Sequence, residues 1–273
     1  MKLIELLDVS KVYGRGGAET RALDGIDLAI DAGEFVAVMG TSGSGKSTCM
    51  NILGCLDKPT HGRYLFRGVD VSKLDRDERA LLRRRHLGFI FQSFNLLART
   101  SALENVELPL VYRGLRKAER RRLALAQLDA VGLSDRVHHT PAELSGGQQQ
   151  RVAIARALVT SPSIIFADEP TGNLDSRNSQ EILTLLSGLH RERGITIVMV
   201  THEPELAALA DRVVVFRDGR IVSESNEPEP SGGGGSSRSA GPSGESGQPG
   251  ESGHSRLSGS WGPGSELRGG GAR

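Results

Sequence analysis

Three short runs of consecutive apolar residues, 35–39, 163–167 and 195–200, punctuate the first 226 residues of the chain. Each has the length of a strand and is rich in branched side chains, which predicts strands buried on both faces of a parallel sheet. Between the runs the period changes. Ile182, Leu185, Leu186 and Leu189 recur at the i, i+3, i+4, i+7 spacing of an apolar helix face, and Val152, Ala155, Leu158 and Val159 come close to it. Strands alternating with such helices predict an α/β fold with a mostly parallel core sheet. Two earlier segments, 2–9 and 22–30, read as strands with no crossover helix and predict an antiparallel β subdomain. Residues 75–132 read as mostly helical and rich in Arg and Leu, so a helical subdomain is expected to interrupt the sheet.

Beyond residue 226 the pattern stops. Residues 227–273 are Glu, Pro, Ser and Gly with scattered Arg, and they hold fifteen of the 35 glycines. With almost no aliphatic residue to bury, nothing offsets the entropy of ordering them, and a disordered tail is expected. Trp261 is the one aromatic there that a partner could use.

Composition narrows the class. A net charge of +1 gives no global pull toward nucleic acid or anionic lipid. No run approaches the roughly 20 apolar residues that a membrane helix needs, so the chain is not expected to cross a bilayer by itself. Acidic residues near the N-terminus argue against a signal peptide and for a cytoplasmic chain. Cys49 and Cys55 lack any metal-binding context and read as buried free thiols.

The chemistry begins directly after the first apolar run. Gly40, four residues, then Gly45-Lys46-Ser47 fits a phosphate-binding loop, with Ser42, Gly43, Ser44 and Thr48 inside or beside it. Glycines let backbone N–H groups approach phosphate oxygens, and the following helix presents its positive end. Lys46 would contact β- and γ-phosphates, and the Ser47 hydroxyl would hold magnesium. After the run at 163–167 come Asp168 and Glu169, which a strand end delivers to the carboxyl edge of a parallel sheet. Asp168 suits magnesium and Glu169 suits polarising a water. A second anion-seeking helix start follows Leu144: Ser145 as N-cap, then Gly146, Gly147 and Gln148.

The sequence Leu-Ser-Gly-Gly-Gln at 144–148, with the phosphate loop and the acidic strand end, resembles the ATP-binding cassette family over essentially all of residues 1–226. The resemblance implies a phosphate-loop NTPase fold of that type, with a helical subdomain at about 93–160. It also implies that the signature of one subunit closes on ATP held by the phosphate loop of another. By the same resemblance, Tyr13 matches the aromatic that stacks on adenine, and Gln92 a glutamine contacting magnesium or water. Asp175, in Asn173-Leu174-Asp175, matches a loop touching the opposite site, and the segment also reads as a helix N-cap for a helix beginning near Ser176. His202 matches a histidine reaching γ-phosphate. ATP and Mg2+ are the implied ligands, with Glu169, His202 and Gln92 catalytic and Ser47, Gln92 and Asp168 holding the metal.

One motif set needs a second copy, giving a head-to-tail homodimer. Stretches such as ADEPTGNLDS look like the bacterial lipoprotein-release, macrolide-export and cell-division subgroup, which implies an integral membrane permease and a place on the cytoplasmic face of the inner membrane. The polar tail favours a separately encoded permease. Phe91, Ser93, Phe94, Asn95, Leu96 and Leu97 are the expected docking surface. The runs Arg83–Arg85 and Arg120–Arg122 are expected as solvated helix faces, with lipid headgroups the alternative. A cassette acting on DNA or ribosomes is the second reading, but neither coiled-coil heptads nor zinc-spaced cysteines occur, so no nucleic acid is expected.

Overall fold

A computed structural model describes residues 1–14 and 16–225. The expectations for the tail and Trp261 lie outside the described residues. The described residues form ten strands: β1 (Lys2–Tyr13), β2 (Thr20–Asp31), β3 (Phe35–Gly40), β4 (His61–Phe66), β5 (Val69–Asp70), β6 (Leu87–Phe91), β7 (Ile164–Asp168), β8 (Thr196–Val200), β9 (Arg212–Arg217) and β10 (Arg220–Ser225). Seven α-helices join them among the described residues: α1 (Lys46–Leu53), α2 (Arg76–His86), α3 (Ala102–Tyr112), α4 (Lys117–Ala130), α5 (Gly146–Leu158), α6 (Ser176–Arg193) and α7 (Pro204–Ala207).

The strands form two sheets. One is four-stranded in the order β2-β1-β4-β5, antiparallel throughout. The other runs β10-β9-β3-β8-β7-β6, parallel from β9 to β6 with β10 antiparallel on its edge. The period of two explains why its central strands are apolar throughout. Val36, Val38, Ile164, Phe166, Val198 and Val200 face one core, shared with the first sheet and the α1 residues Cys49, Ile52 and Leu53. Phe35, Ile165, Ala167, Ile197 and Met199 face the other, filled by α3 to α6.

Two sequence readings shift. The segment 75–132 is not purely helical, because β6 divides α2 from α3. Its LGFIF run is short and holds a glycine, so it lacks the branched stretch that marks the other core strands. On α6 the buried face is Ile182, Leu183, Leu186 and Leu189, with Leu185 only partly buried. Cys49 and Cys55 are buried free thiols, and burial pushes them up to about 12 and about 11. Among the described residues no helix is long and apolar enough to cross a membrane.

Local signals set the helix starts. Asp75 with Glu78, Ser101 with Glu104, and Ser145 with Gln148 each form a reciprocal capping box at α2, α3 and α5. The parallel register then aligns the strand ends: Phe91 pairs with Asp168, and Asp168 with Val200. Residues following β6, β7 and β8 therefore emerge side by side at one carboxyl edge, and β3 brings Gly40 to the same edge.

Candidate functional site

The loop between β3 and α1 is shaped by glycine. Gly40, Gly43 and Gly45 have φ of 146°, 78° and 106°, in the half of conformational space that side chains disfavour. Lys46, only 9% exposed, folds back so that its ammonium donates to the carbonyls of Gly40 and Thr41, each at 2.8 Å. Gly45 caps α1 without a side chain, so no side chain satisfies the first N–H groups of that helix. The Ser44 hydroxyl is buried and has no hydrogen-bond partner among the described residues. Free N–H groups, an orphaned hydroxyl and a cation together suit a polyphosphate. Ser42 and Gly43 are exposed on the loop, and Ser47 and Thr48 open the first turn of α1.

Across the edge, Asp168 ends β7. Burial, reinforced by the neighbouring Glu169 carboxylate, raises its carboxyl above the usual carboxylate range, while Lys46 pulls the other way. A carboxylate with this environment gains from a second cation. Asp168, the Ser47 hydroxyl and the Gln92 amide oxygen are hard oxygen donors, and they fit magnesium, which takes a few protein oxygens together with phosphate oxygens. Glu169 has φ of 43°, an uncommon value for a residue with a side chain and more so before Pro170. Its N–H is fixed on the Val200 carbonyl at 3.0 Å, and its carbonyl accepts from Gly172 at 3.1 Å. The strained backbone turns the Glu169 carboxylate toward His202, whose Nδ1 lies 3.1 Å from Oε1.

Gln92 follows β6. Its amide nitrogen lies 3.4 Å from Asn173 Oδ1, and Asn173 donates to the Gln92 carbonyl at 3.1 Å. The segments after β6 and β7 are thereby tied together. Tyr13, at the end of β1, is 41% exposed; its hydroxyl donates to Asp57 at 2.9 Å and the Lys11 ammonium sits 4.8 Å from its ring centre. Burial and Asp57 raise the phenol above its ordinary value.

The second helix start lies beside the segment after β7. The Ser145 hydroxyl accepts from the Gln148 N–H at 3.3 Å, while the Gln148 side chain accepts from the Ser145 N–H at 3.0 Å. Gly147 packs on Asn178 of α6, and Gly146 on Leu174. Asp175 caps α6, accepting from the Asn178 N–H at 3.0 Å and its amide at 2.5 Å, and these bonds hold its carboxyl below the usual range. Thus the signature and the 173–175 segment form one unit, distinct in sequence from the phosphate loop.

Three residues escaped the motif reading. Asn178 braces both Gly147 and Asp175. Arg156, on α5, donates to the carbonyls of Phe94 and Asn95 at 2.8 and 2.6 Å, locking two consecutive residues with φ of 60° and 49°. Gln150 is fully buried and donates to the Pro170 carbonyl at 2.5 Å, joining α5 to the strand end behind Glu169. An arginine and a glutamine inside an amphipathic helix are ordinary by pattern; the only hint was their place on a face otherwise filled by Val, Ile and Ala.

Comparison with known proteins bears directly on this edge. The family model described as ABC transporter matches residues 23–172. The macrolide export ATP-binding/permease protein MacB of Hyphomonas neptunium is 58% identical over 227 residues, covering 83% of this chain and 35% of that protein. MacB of Marinobacter nauticus is 55% identical over 229 residues, again 35% of its length. The chain therefore spans about a third of the curated relatives it matches. Among solved structures, the ATP-binding cassette MJ0796, in a dimeric post-hydrolysis state bound to ADP and Pi, has a TM-score of 0.75 and 46% identity, covering 81% of this chain and 97% of that one. A family match over more than half of the chain, on the same phosphate loop and acidic strand end that the fold brings to one edge, identifies this chain as a member of the ABC transporter family.

Proposed function

We propose that the chain binds and hydrolyses ATP as a head-to-tail homodimer enclosing two nucleotides, and that it drives a membrane permease from the cytoplasmic face of the bacterial inner membrane. The observation that carries the hydrolytic part is the Glu169–His202 contact at 3.1 Å on the edge that holds the phosphate loop. In this reading the N–H groups of residues 43–48 and the Lys46 ammonium hold the phosphates, and Tyr13 stacks on the base. Ser47, Gln92 and Asp168 hold magnesium, which when bound neutralises phosphate charge. Glu169 accepts a hydrogen bond from the attacking water and orients it in line with the γ-phosphorus. His202 Nδ1–H donates to Glu169, fixing the carboxylate, which leaves Nε2 for the γ-phosphate. Gln92, anchored by Asn173, reports nucleotide occupancy to the segment that follows it.

The partner site is the signature. Ser145, Gly146, Gly147 and Gln148 present a capped helix start whose N–H groups suit the γ-phosphate bound by a second copy, with Asp175 reaching the same junction. A dimeric cassette such as MJ0796 supports this arrangement.

For the permease, support comes from a groove of about 950 Å³ between α2, β6 and α3. Phe89, Phe91, Leu81, Leu108 and Tyr112 give it an apolar wall, and Asn95 with Arg156 links it to the segment after Gln92. Of the expected docking residues, Phe91 and Asn95 line it, while Leu96 packs into the core. The arginine runs are partly committed elsewhere: Arg83 and Arg84 donate to the carbonyls of Cys55 and Tyr112. An amphipathic helix of a membrane subunit suits such a groove, and the MacB relatives join an ATP-binding part to a permease in their names. Macrolide export, lipoprotein release or mechanical transmission remains the class of work.

Two measurements test this reading. Lys46→Ala should abolish ATP binding in calorimetric titration, and unchanged affinity would refute the phosphate role. Pull-down of the tagged chain from solubilised membranes should recover a polytopic subunit that Phe89→Glu loses; recovery of ribosomes or nucleic acid instead would support the alternative cassette class.

A further inference from the structure

The phosphate loop is braced from behind by a turn far along the chain. Asp218 and Gly219 join β9 to β10 with φ of 49° and 77°, and Arg217 pairs with Arg220 across them. Two positive φ values in a two-residue connection make a type I′ hairpin turn. This turn does more than reverse the chain. The Gly219 N–H donates to the Ser44 carbonyl at 3.0 Å, and the Gly219 carbonyl accepts from the Asp24 N–H at 2.9 Å. Three backbones therefore meet at one point: the start of β2, the phosphate loop and the turn.

The fit leaves no room for side chains. A Cβ on Gly45 would stand 2.7 Å from the Ala22 carbonyl oxygen and 3.4 Å from Gly219 Cα; one on Gly219 would stand 3.0 Å from that same oxygen. On the neighbouring strand, a Cβ on Gly40 would strike the Phe216 carbonyl oxygen at 2.3 Å. Around the junction, Asp24 accepts from Arg21 Nη1 at 2.6 Å and from Arg220 Nε at 2.8 Å. These arginines hold the Asp24 carboxyl below the usual carboxylate range.

We infer that Gly219, Asp24 and Arg220 are positioning residues for nucleotide phosphate, acting through the Ser44–Gly45 peptide that immediately precedes Lys46. The inference rests on the ATP reading above. Hydrogen bonds weaken steeply as they lose alignment, and the N–H groups opening α1 carry no side-chain cap. Their direction is set by the peptide that Gly219 holds. A shifted turn tilts several phosphate-facing donors together while leaving Glu169 and His202 in place.

The test uses the full chain with ATP and magnesium. Gly219→Ala is expected to raise KM and the ATP dissociation constant about tenfold with kcat within about twofold, because a side chain at this φ and separation forces the turn away from Ala22. Asp24→Asn, an outlying substitution that keeps the fold if Gly219→Ala does not, is expected to weaken binding about threefold, Arg220→Ala to weaken it by a similar factor, and Arg220→Lys, which keeps the charge but not the two-nitrogen fork, to weaken it less than Arg220→Ala. Unchanged affinity in both Gly219→Ala and Asp24→Asn, or a fall in kcat alone, overturns the inference and leaves the ATP reading standing. A wild-type chain that bound no ATP would overturn both.

Discussion

Gly147 is glycine for a reason that its place in the signature does not reveal. A Cβ there would lie 2.1 Å from Asn178 Oδ1, 2.7 Å from Cγ and 3.2 Å from Cβ. Rotating the amide removes the first two contacts but not the third, so Gly147→Ala must displace both side chain and helix. Overpacking of this kind costs about 1–3 kcal/mol. Turning the amide also breaks its 2.5 Å bond to Asp175, worth about 0.5–1.5 kcal/mol. Replacing glycine in a helix returns up to about 1 kcal/mol. The balance is a net loss of about 2 kcal/mol. Asn178→Ala alone exchanges the lost amide bond for a better helix former and should change stability by less than about 0.5 kcal/mol. In the double variant the Oδ1 and Cγ contacts are gone and only the 3.2 Å Cβ contact remains, so stability should recover to within about 1 kcal/mol of wild type, a coupling of about 1 kcal/mol or more. Urea unfolding of the four proteins measures each value. Additive effects, or a Gly147→Ala protein as stable as wild type, would refute the packing argument.

Two further outcomes follow from the site and the chain's organisation. Asp168 has a folded-state pKa raised above its unfolded value, so it costs stability above that raised pKa and the cost disappears as pH falls below the unfolded value. Asp168→Asn should therefore raise the melting temperature at pH 7, by a margin that shrinks toward pH 3.5, while removing magnesium-dependent hydrolysis; a margin independent of pH would contradict the burial argument. Truncation after Asn226 should leave basal ATPase activity nearly intact, since the phosphate loop, acidic edge and signature all precede it; a large loss in steady-state assays would assign the tail a role in the cassette.

The readability of this chain follows from which interactions are local. Central strands announce themselves because both faces are buried, so Val36, Phe166 and Val198 needed no polar neighbour. The phosphate loop and signature are contiguous strings, legible for the same reason. What stayed hidden is reciprocal and distant. Glycine at 40 and 45 reads as phosphate approach, yet both also lie against backbone from Phe216 and Ala22. Arg156 and Gln150 look like helix surface until the fold sets them on the carbonyls of Asn95 and Pro170. β6 went unseen because Gly88 fits under the Ala157 carbonyl, an approach that a branched residue would block. Of the expected docking residues, Phe91 and Asn95 line a groove whose other walls come mostly from α2 and α3, which flank them in sequence.

The central claim is that ATP is shared between the phosphate loop of one copy and the signature of another. Glu169→Gln keeps the carboxylate's shape and its neighbour His202 while removing the group that orients water. Size-exclusion chromatography of this variant with saturating ATP and magnesium should give a stable dimer that reverts to monomer without nucleotide. A Glu169→Gln protein that binds ATP yet elutes as a monomer at every ATP concentration would contradict the shared site.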